Sequence, residues 1–103
     1  HMVGSCEASS FTSAGGHLNP GGKQHGTENP MGSHLGDLPN IDIGADGTGS
    51  MTAALHGTRD EVLSQVFDAD GTAIVLHAGP DDYKTDPAGN SGGRIACGVL
   101  QRS

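Results

Sequence analysis

The chain has 103 residues and a formal net charge of −7, with 18 glycines, 3% aromatic residues and no tryptophan. This acidic balance argues against nucleic acid as a partner, which needs a basic surface. No stretch approaches the roughly 20 apolar residues of a membrane-spanning helix. We expect one small domain over residues 1–103 with a modest core, so a disulfide or a structural metal should contribute to its stability.

The first long segment, residues 4–40, is rich in Gly, Ser, Asn and Pro and has neither helical nor strand periodicity, so it is predicted to be an ordered loop. Residues 40–44 and 50–55 then alternate around Asp46-Gly47, which predicts a β-hairpin. Residues 60–67 suit either a short helix or an irregular connection.

After the Asp70-Gly71 turn, residues 72–77 read as a strand, and residues 94–100 as another. Residues 78–93, with two prolines and four glycines, form a second predicted loop. About four strands and two long loops indicate an antiparallel β fold. Four strands alone leave unpaired edges, so either further strands are missing or a partner supplies them.

The two cysteines, Cys6 and Cys97, stand at opposite ends of the chain. A zinc site would also account for a pair of thiols, but neither has a second cysteine two to four residues away, which favours a disulfide. Closing so long a loop would remove about 4 to 5 kcal/mol of unfolded-state entropy in the simple model. A disulfide favours an oxidising compartment.

Three histidines and an aspartate are concentrated in the first loop: His17, His25, His34 and Asp37. Three imidazoles and a carboxylate within so short a stretch suit tetrahedral zinc. The alternative is a polar loop with solvated histidines, because no short regular metal motif is present. Spacing alone leaves both interpretations open.

Five blocks of this sequence resemble, in order, the metal loop, copper strand, electrostatic loop and terminal strand of copper,zinc superoxide dismutases, and the bacterial secreted or lipoprotein members look closest. The blocks are residues 15–20 (GGHLNP), 23–26 (KQHG), 34–39 (HLGDLP), 75–82 (VLHAGPDD) and 93–98 (GRIACG). The resemblance runs from Cys6 to Val99. It implies a Greek-key β-barrel or sandwich that lacks its N-terminal strands and carries two long functional loops.

The resemblance also implies site residues. By position, His17 bridges two metals, His25, His34 and Asp37 complete a zinc site, and His77 binds copper. Cys6 and Cys97 form the family's disulfide, Asp81 hydrogen-bonds imidazoles at both metals, and Arg94 guides the superoxide anion. The implied reaction is disproportionation of superoxide to oxygen and hydrogen peroxide, with copper and zinc as cofactors and an extracytoplasmic location.

One departure concerns copper, which the family binds through four imidazoles, two of them from a His-x-His pair. The strand that carries this pair in the family is absent here. His1 nevertheless stands five residues before Cys6, as the second histidine of the pair does in bacterial members. The alternative is that His1-Met2 is a cloning remnant. His1 is therefore a provisional copper ligand.

Two other classes of function stay open. One is a zinc-stabilised, copper-poor binding or structural module of the same fold, which the absent pair favours and His77 and Arg94 oppose. The other is a chain that completes its sheet by pairing with a second copy. His56 matches no ligand position and is interpreted as a surface histidine, and the chain is expected not to fold without zinc.

Overall fold

The computed structural model describes residues 1–7 and 10–101. Within them the regular elements are a single 3-10 turn at Thr12–Ala14, helix α1 at Arg59–Val66, strand β1 at Ala73–His77 and strand β2 at Arg94–Val99. The loops predicted over 4–40 and 78–93 are confirmed for the described residues of both ranges, apart from that turn and one isolated bridge between Gln24 and Gly32, and residues 8 and 9 lie outside the described part. No helix in the described part of the chain is long and apolar enough to cross a membrane.

Helix α1 begins at a reciprocal cap. The Thr58 hydroxyl accepts from the Glu61 N–H at 3.2 Å, and the Glu61 carboxylate accepts from the Thr58 N–H at 3.2 Å. This capping box satisfies two N–H groups that the first helical turn leaves free, and Asp60 and Glu61 suit the positive end of the helix dipole. Of the two alternatives for residues 60–67, the helix is therefore the correct one.

Strands β1 and β2 form an antiparallel pair in which Val75 faces Cys97 and Leu76 faces Ala96. A register irregularity follows Leu76, so that His77 lies opposite Arg94. An irregularity of this kind redirects the side chains that follow it. Its effect is to place the last residue of β1 beside the first residue of β2, at the end of the sheet where the second loop leaves and returns.

The predicted hairpin over 40–44 and 50–55 is wrong, because neither stretch is a strand. The turn itself forms: the Gly44 N–H donates to the Thr48 carbonyl at 2.8 Å, and Asp46 accepts from Thr48. The alternating apolar side chains lack a surface to cover them, with Ile43 53% and Met51 40% exposed. An isolated two-stranded hairpin is marginal in water, so the alternation alone does not make a ladder.

The core is small, as composition predicts. The buried apolar residues among those described are Ala14, Leu18, Val66 and Ala73, and no large side chain is fully buried. Between β1 and the segments 38–43 and 49–55 lies a wide cavity of about 920 Å³. His1, His17, His25 and His77 also border it, so the cavity opens beside the histidines predicted to bind metal.

Candidate metal centre

The zinc ligands expected from the sequence come together in the first loop. One donor atom from each of His17, His25, His34 and Asp37 lies within 4.8 Å of all the others. Asp37 Oδ1 is 3.0 Å from His25 Nδ1, 3.0 Å from His34 Nδ1 and 3.7 Å from His17 Nδ1. Ligand atoms around tetrahedral zinc stand about 3.3 Å apart, given bonds of about 2.0 to 2.1 Å, so this spacing fits the ion.

Asp37 is fixed by the backbone of its own loop. Its Oδ2 accepts from the N–H groups of Gly26 at 3.0 Å and His34 at 2.9 Å, which leaves Oδ1 for the cluster. Burial alone would raise the pKa of Asp37, but the two N–H donors and the neighbouring imidazoles lower it below its usual value. The carboxylate is therefore held in the ionised form that a metal requires.

The hydrogen bonding of His25 tests whether these residues fit a metal ion. Its ring is 4% exposed, and its Nδ1 forms no hydrogen bond although Asp37 Oδ1 is only 3.0 Å away. Nε2 meets the carboxylate of Asp81 at 2.8 and 2.9 Å, which assigns the ring proton to Nε2 and a lone pair to Nδ1. A buried lone pair aimed at a carboxylate oxygen is unfavourable unless a cation lies between them. The donor set therefore fits zinc.

His17 belongs to the same cluster and is also largely buried, with a side chain that is 16% exposed. Burial lowers the pKa of His17 to about 4, with Asp37 opposing that shift and the imidazoles of His34 and His25 adding to it. The ring is thus neutral near pH 7. A neutral imidazole is the form that binds metal.

A second cluster consists of His1, His17 and His77, again with one donor atom of each within 4.8 Å of the others. The His1 Nδ1 donates to the Gly15 carbonyl at 2.8 Å, and the His77 Nδ1 donates to the Gly92 carbonyl at 3.0 Å. A carbonyl accepts only, so these bonds place the proton on Nδ1 and leave Nε2 of each ring with a lone pair. The rings of His1 and His77 therefore each have an Nε2 lone pair that could bind a metal beside His17.

His1 is held in this position by main-chain bonds as well. Its α-ammonium group donates to the Ala73 carbonyl at 2.7 Å, and the Ala73 N–H donates to the His1 carbonyl at 3.2 Å. His1 therefore lies beside Ala73 at the start of β1, and its ring centroid is 5.9 Å from that of His77.

Arg94, expected to guide the substrate, reaches from β2 to the first loop. Its guanidinium donates to the carbonyls of Phe11 at 2.8 Å and Gly15 at 2.7 Å. Two hydrogen bonds on a planar fork fix the cation, and the second acceptor is the carbonyl that His1 also uses. The positive charge therefore sits beside the second cluster.

Cys6 and Cys97 are joined by a disulfide, as predicted, with Cα atoms 5.7 Å apart. The bond ties the segment after His1 to β2, three residues beyond Arg94. Asp81 is found in one of its two expected contacts: it bonds the His25 ring, but among the described residues it meets no imidazole of the second cluster. His56 lies outside both clusters.

Sequence reasoning missed two residues around Asp81 and His25. The Asn40 amide pairs with the main chain of Asp81, donating to its carbonyl at 3.0 Å and accepting from its N–H at 2.9 Å. Asp86 accepts from the His25 N–H at 2.8 Å. These contacts join residues 41 and 61 positions apart, so no local pattern signals them.

Comparison with known proteins gives a consistent result. Residues 1–100 match the family model described as copper/zinc superoxide dismutase (SODC). The chain is 47% identical over 105 residues to superoxide dismutase (Cu-Zn) 2 of Aquifex aeolicus, covering 98% of this chain and 60% of that protein. It is 48% identical over 99 residues to the superoxide dismutase-like protein YojM of Bacillus subtilis, covering 94% and 50%.

A solved structure agrees with these matches. The crystal structure of a SOD-like protein from Bacillus subtilis has a TM-score of 0.87 at 46% identity, over 98% of this chain and 68% of that one. This likeness confirms the expected all-β fold class. The chain spans 60% and 50% of the lengths of the two curated relatives.

Proposed function

Because the chain belongs to the copper/zinc superoxide dismutase family, we propose that it disproportionates superoxide to oxygen and hydrogen peroxide. Zinc is assigned to His17, His25, His34 and Asp37, and copper to His1, His17 and His77. The observation that carries this proposal is that His17 belongs to both clusters. An imidazole has two nitrogens, so one ring can serve two adjacent ions.

When bound, copper would supply the one-electron chemistry, taking an electron from one superoxide and passing it to a second. The chain's own residues supply the rest. Two superoxide anions and two protons give one oxygen and one hydrogen peroxide, so a proton carrier is needed at the centre. We assign the holding and release of that proton to Nε2 of His17, since Nδ1 of that ring lies in the zinc cluster, 3.0 Å from Nδ1 of His34.

Arg94 supplies the attraction for the anion. A chain with a net charge of −7 repels superoxide at long range. A guanidinium held on two carbonyls next to the second cluster provides a fixed local positive charge against that repulsion. We assign Arg94 the role of drawing superoxide to the copper ligands.

The test is to load the chain with zinc and copper, remove excess metal and follow superoxide decay directly. We expect acceleration by the loaded chain and loss of at least about 10²-fold in His77→Ala, whose zinc content should stay near one per chain. His56→Ala is the matched control, because it removes a histidine outside both clusters. A fully loaded chain that leaves superoxide decay unchanged would contradict the proposal.

A zinc-stabilised module without activity is the second candidate. Its support is that one relative carries the name superoxide dismutase-like protein. Copper content separates the two. About one copper per chain after dialysis favours the enzyme, whereas zinc alone favours the module.

We also propose an oxidising, extracytoplasmic location and a single domain over residues 1–103. The support for the location is the Cys6–Cys97 bond, because such bonds persist where thiols are not kept reduced. Pairing of two copies is a further proposal, which light scattering of the metal-loaded chain would test. The exposed side chains of Ile74, Ile95 and Val99 on the sheet support it.

A further inference from the structure

His25 is held from two directions by carboxylates of one loop. Asp81 accepts from the ring Nε2, and Asp86, five residues later, accepts from the main-chain N–H at 2.8 Å. The first bond sets the rotation and the tautomer of the ring. The second fixes the backbone from which the ring projects, a different degree of freedom.

The backbone at His25 needs such an anchor. On one side, Gln24 is fixed by its N–H bond to the Met31 carbonyl at 3.0 Å. On the other side stands Gly26, with φ of +112°, a residue that imposes no conformation of its own. The other main-chain contacts here come from the first loop itself: the Asn29 side-chain amide donates to the His25 carbonyl at 3.0 Å, and the Gly26 N–H donates to Asp37 Oδ2 at 3.0 Å. Among the described residues, the bond from the His25 N–H to Asp86 is the main-chain contact of His25 that the second loop supplies.

The same oxygen of Asp86 lies near a second zinc ligand. Asp86 Oδ1 is 4.0 Å from Nε2 of His34, whose Nδ1 is the nitrogen in the cluster. This distance is too long for a direct hydrogen bond, so the charge of Asp86 acts on His34 only weakly, and its side chain is 48% exposed. The hydrogen bond to His25 is therefore the contact that matters.

We propose that Asp86 is a positioning residue for the zinc ligand His25, acting as a hydrogen-bond acceptor rather than as a charge. This inference rests on the proposed zinc site. It assigns the second loop two separate tasks at one ligand: Asp81 orients the ring, and Asp86 anchors the main chain that carries it. Residues that orient a metal ligand typically change metal affinity by about 10- to 100-fold when they are replaced.

Three substitutions separate acceptor from charge. Asp86→Asn keeps an oxygen acceptor and removes the charge, Asp86→Glu keeps the charge and displaces the oxygen, and Asp86→Ala removes both. Asp82→Asn is the control. Asp82 is on the same loop, and its hydrogen bonds stay within that loop, to Lys84, Thr85 and Asn90. The Thr85 hydroxyl and the Thr85 and Lys84 N–H groups lower the pKa of Asp82 to about 2, so it carries the same charge.

The measurements are zinc affinity, by competition with a chromophoric chelator, and the visible absorption of the Co²⁺-loaded chain, which reports ligand geometry. We expect Asp86→Ala and Asp86→Glu to weaken zinc binding about 10-fold and to alter the Co²⁺ bands. Asp86→Asn and Asp82→Asn should stay within about two-fold of the parent chain with an unchanged spectrum.

If Asp86→Ala does not fold, the zinc affinities of Asp86→Asn and Asp86→Glu, compared with each other, decide between acceptor and charge. Glu binding zinc as well as the parent while Asn is weakened would show that charge acts, and would overturn the inference. The inference would also be overturned if Asp86→Ala had the zinc affinity and the Co²⁺ spectrum of the parent chain. A parent chain that binds no zinc would overturn the proposed function itself, whereas tight binding regardless of residue 86 overturns this inference alone.

Discussion

His1 and Arg94 donate to the same acceptor, the carbonyl oxygen of Gly15, at 2.8 and 2.7 Å. One oxygen of the first loop thus sets both the tautomer of an imidazole in the second cluster and the position of the cation beside it. Each donor keeps another bond that holds it, His1 to Ala73 and Arg94 to Phe11. Removing one donor should therefore leave the other in place.

The first prediction concerns Arg94→Ala. Superoxide turnover by the loaded chain should fall about 10-fold at low ionic strength, and the deficit should shrink as salt screens the field. Zinc and copper content should not change, because His1 keeps its own contacts. Arg59→Ala removes the same charge from helix α1 and should have little effect. An equal loss in Arg59→Ala would show that net charge acts rather than placement.

Removal of zinc by a strong chelator should abolish the cooperative melting transition. The core is small, and zinc bound to a structural site can contribute about 10 kcal/mol or more, similar to the whole stability of a small domain. Differential scanning calorimetry of the oxidised chain before and after chelation measures this, with zinc added back as the control. An unchanged transition after complete removal of zinc would refute it.

Zinc release should require a pH well below the ordinary histidine value. Burial lowers the pKa of His17 from 6.5 to about 4, so this ligand stays neutral as the pH falls through 6.5 and becomes protonated only near 4. Proton competition at His17 therefore begins late, and we expect zinc to be retained at about pH 6 and lost between roughly pH 5.5 and 4. Zinc retained against pH after dialysis is the measurement. Release centred at 6.5 or above would contradict this prediction.

Gly26→Ala should destabilise the zinc-loaded chain by about 2 kcal/mol or more in urea denaturation. Gly26 has φ of +112°, and an added Cβ would collide with the Tyr83 carbonyl, which accepts from the Glu28 N–H at 2.9 Å. Gly22→Ala is the control: its φ is +63°, but its Cβ would meet nothing within 4 Å. Equal losses in the two variants would assign the effect to backbone conformation and not to the contact between the loops.

Most residues of the candidate zinc site lie close together in the sequence. His17, His25, His34 and Asp37 fall in one loop, and Asp37 is fixed by N–H groups of that same loop. Their spacing makes a zinc site one of two interpretations, and the family resemblance favours it over a solvated polar loop. Strands β1 and β2 were also evident, because each has its turn or loop boundary close by. The positions of His1 and Arg94 followed from the resemblance and not from spacing.

What the sequence did not predict depends on partners distant along the chain. The anchors Asp86 and Asn40 act on residues 61 and 41 positions away, and nothing near them marks that use. The prediction of a hairpin over 40–44 and 50–55 is wrong for a related reason. Ile41 and Ile43 have the alternation of a strand, but a strand forms only where a neighbour accepts its hydrogen bonds and covers its apolar face.

The Cys6–Cys97 bond has a consequence for the continuity of the chain. It closes a covalent ring across 91 positions, and five of the six proposed metal ligands lie inside that ring. A single proteolytic cut in the exposed segment around Asp46 would open the ring without releasing either piece. The first loop, with its zinc ligands, would stay bonded to β1 and β2, with His77 and Arg94. Until the sulfur bond is reduced, cleavage of the backbone there does not separate His77 from His1 and His17, its partners in the second cluster.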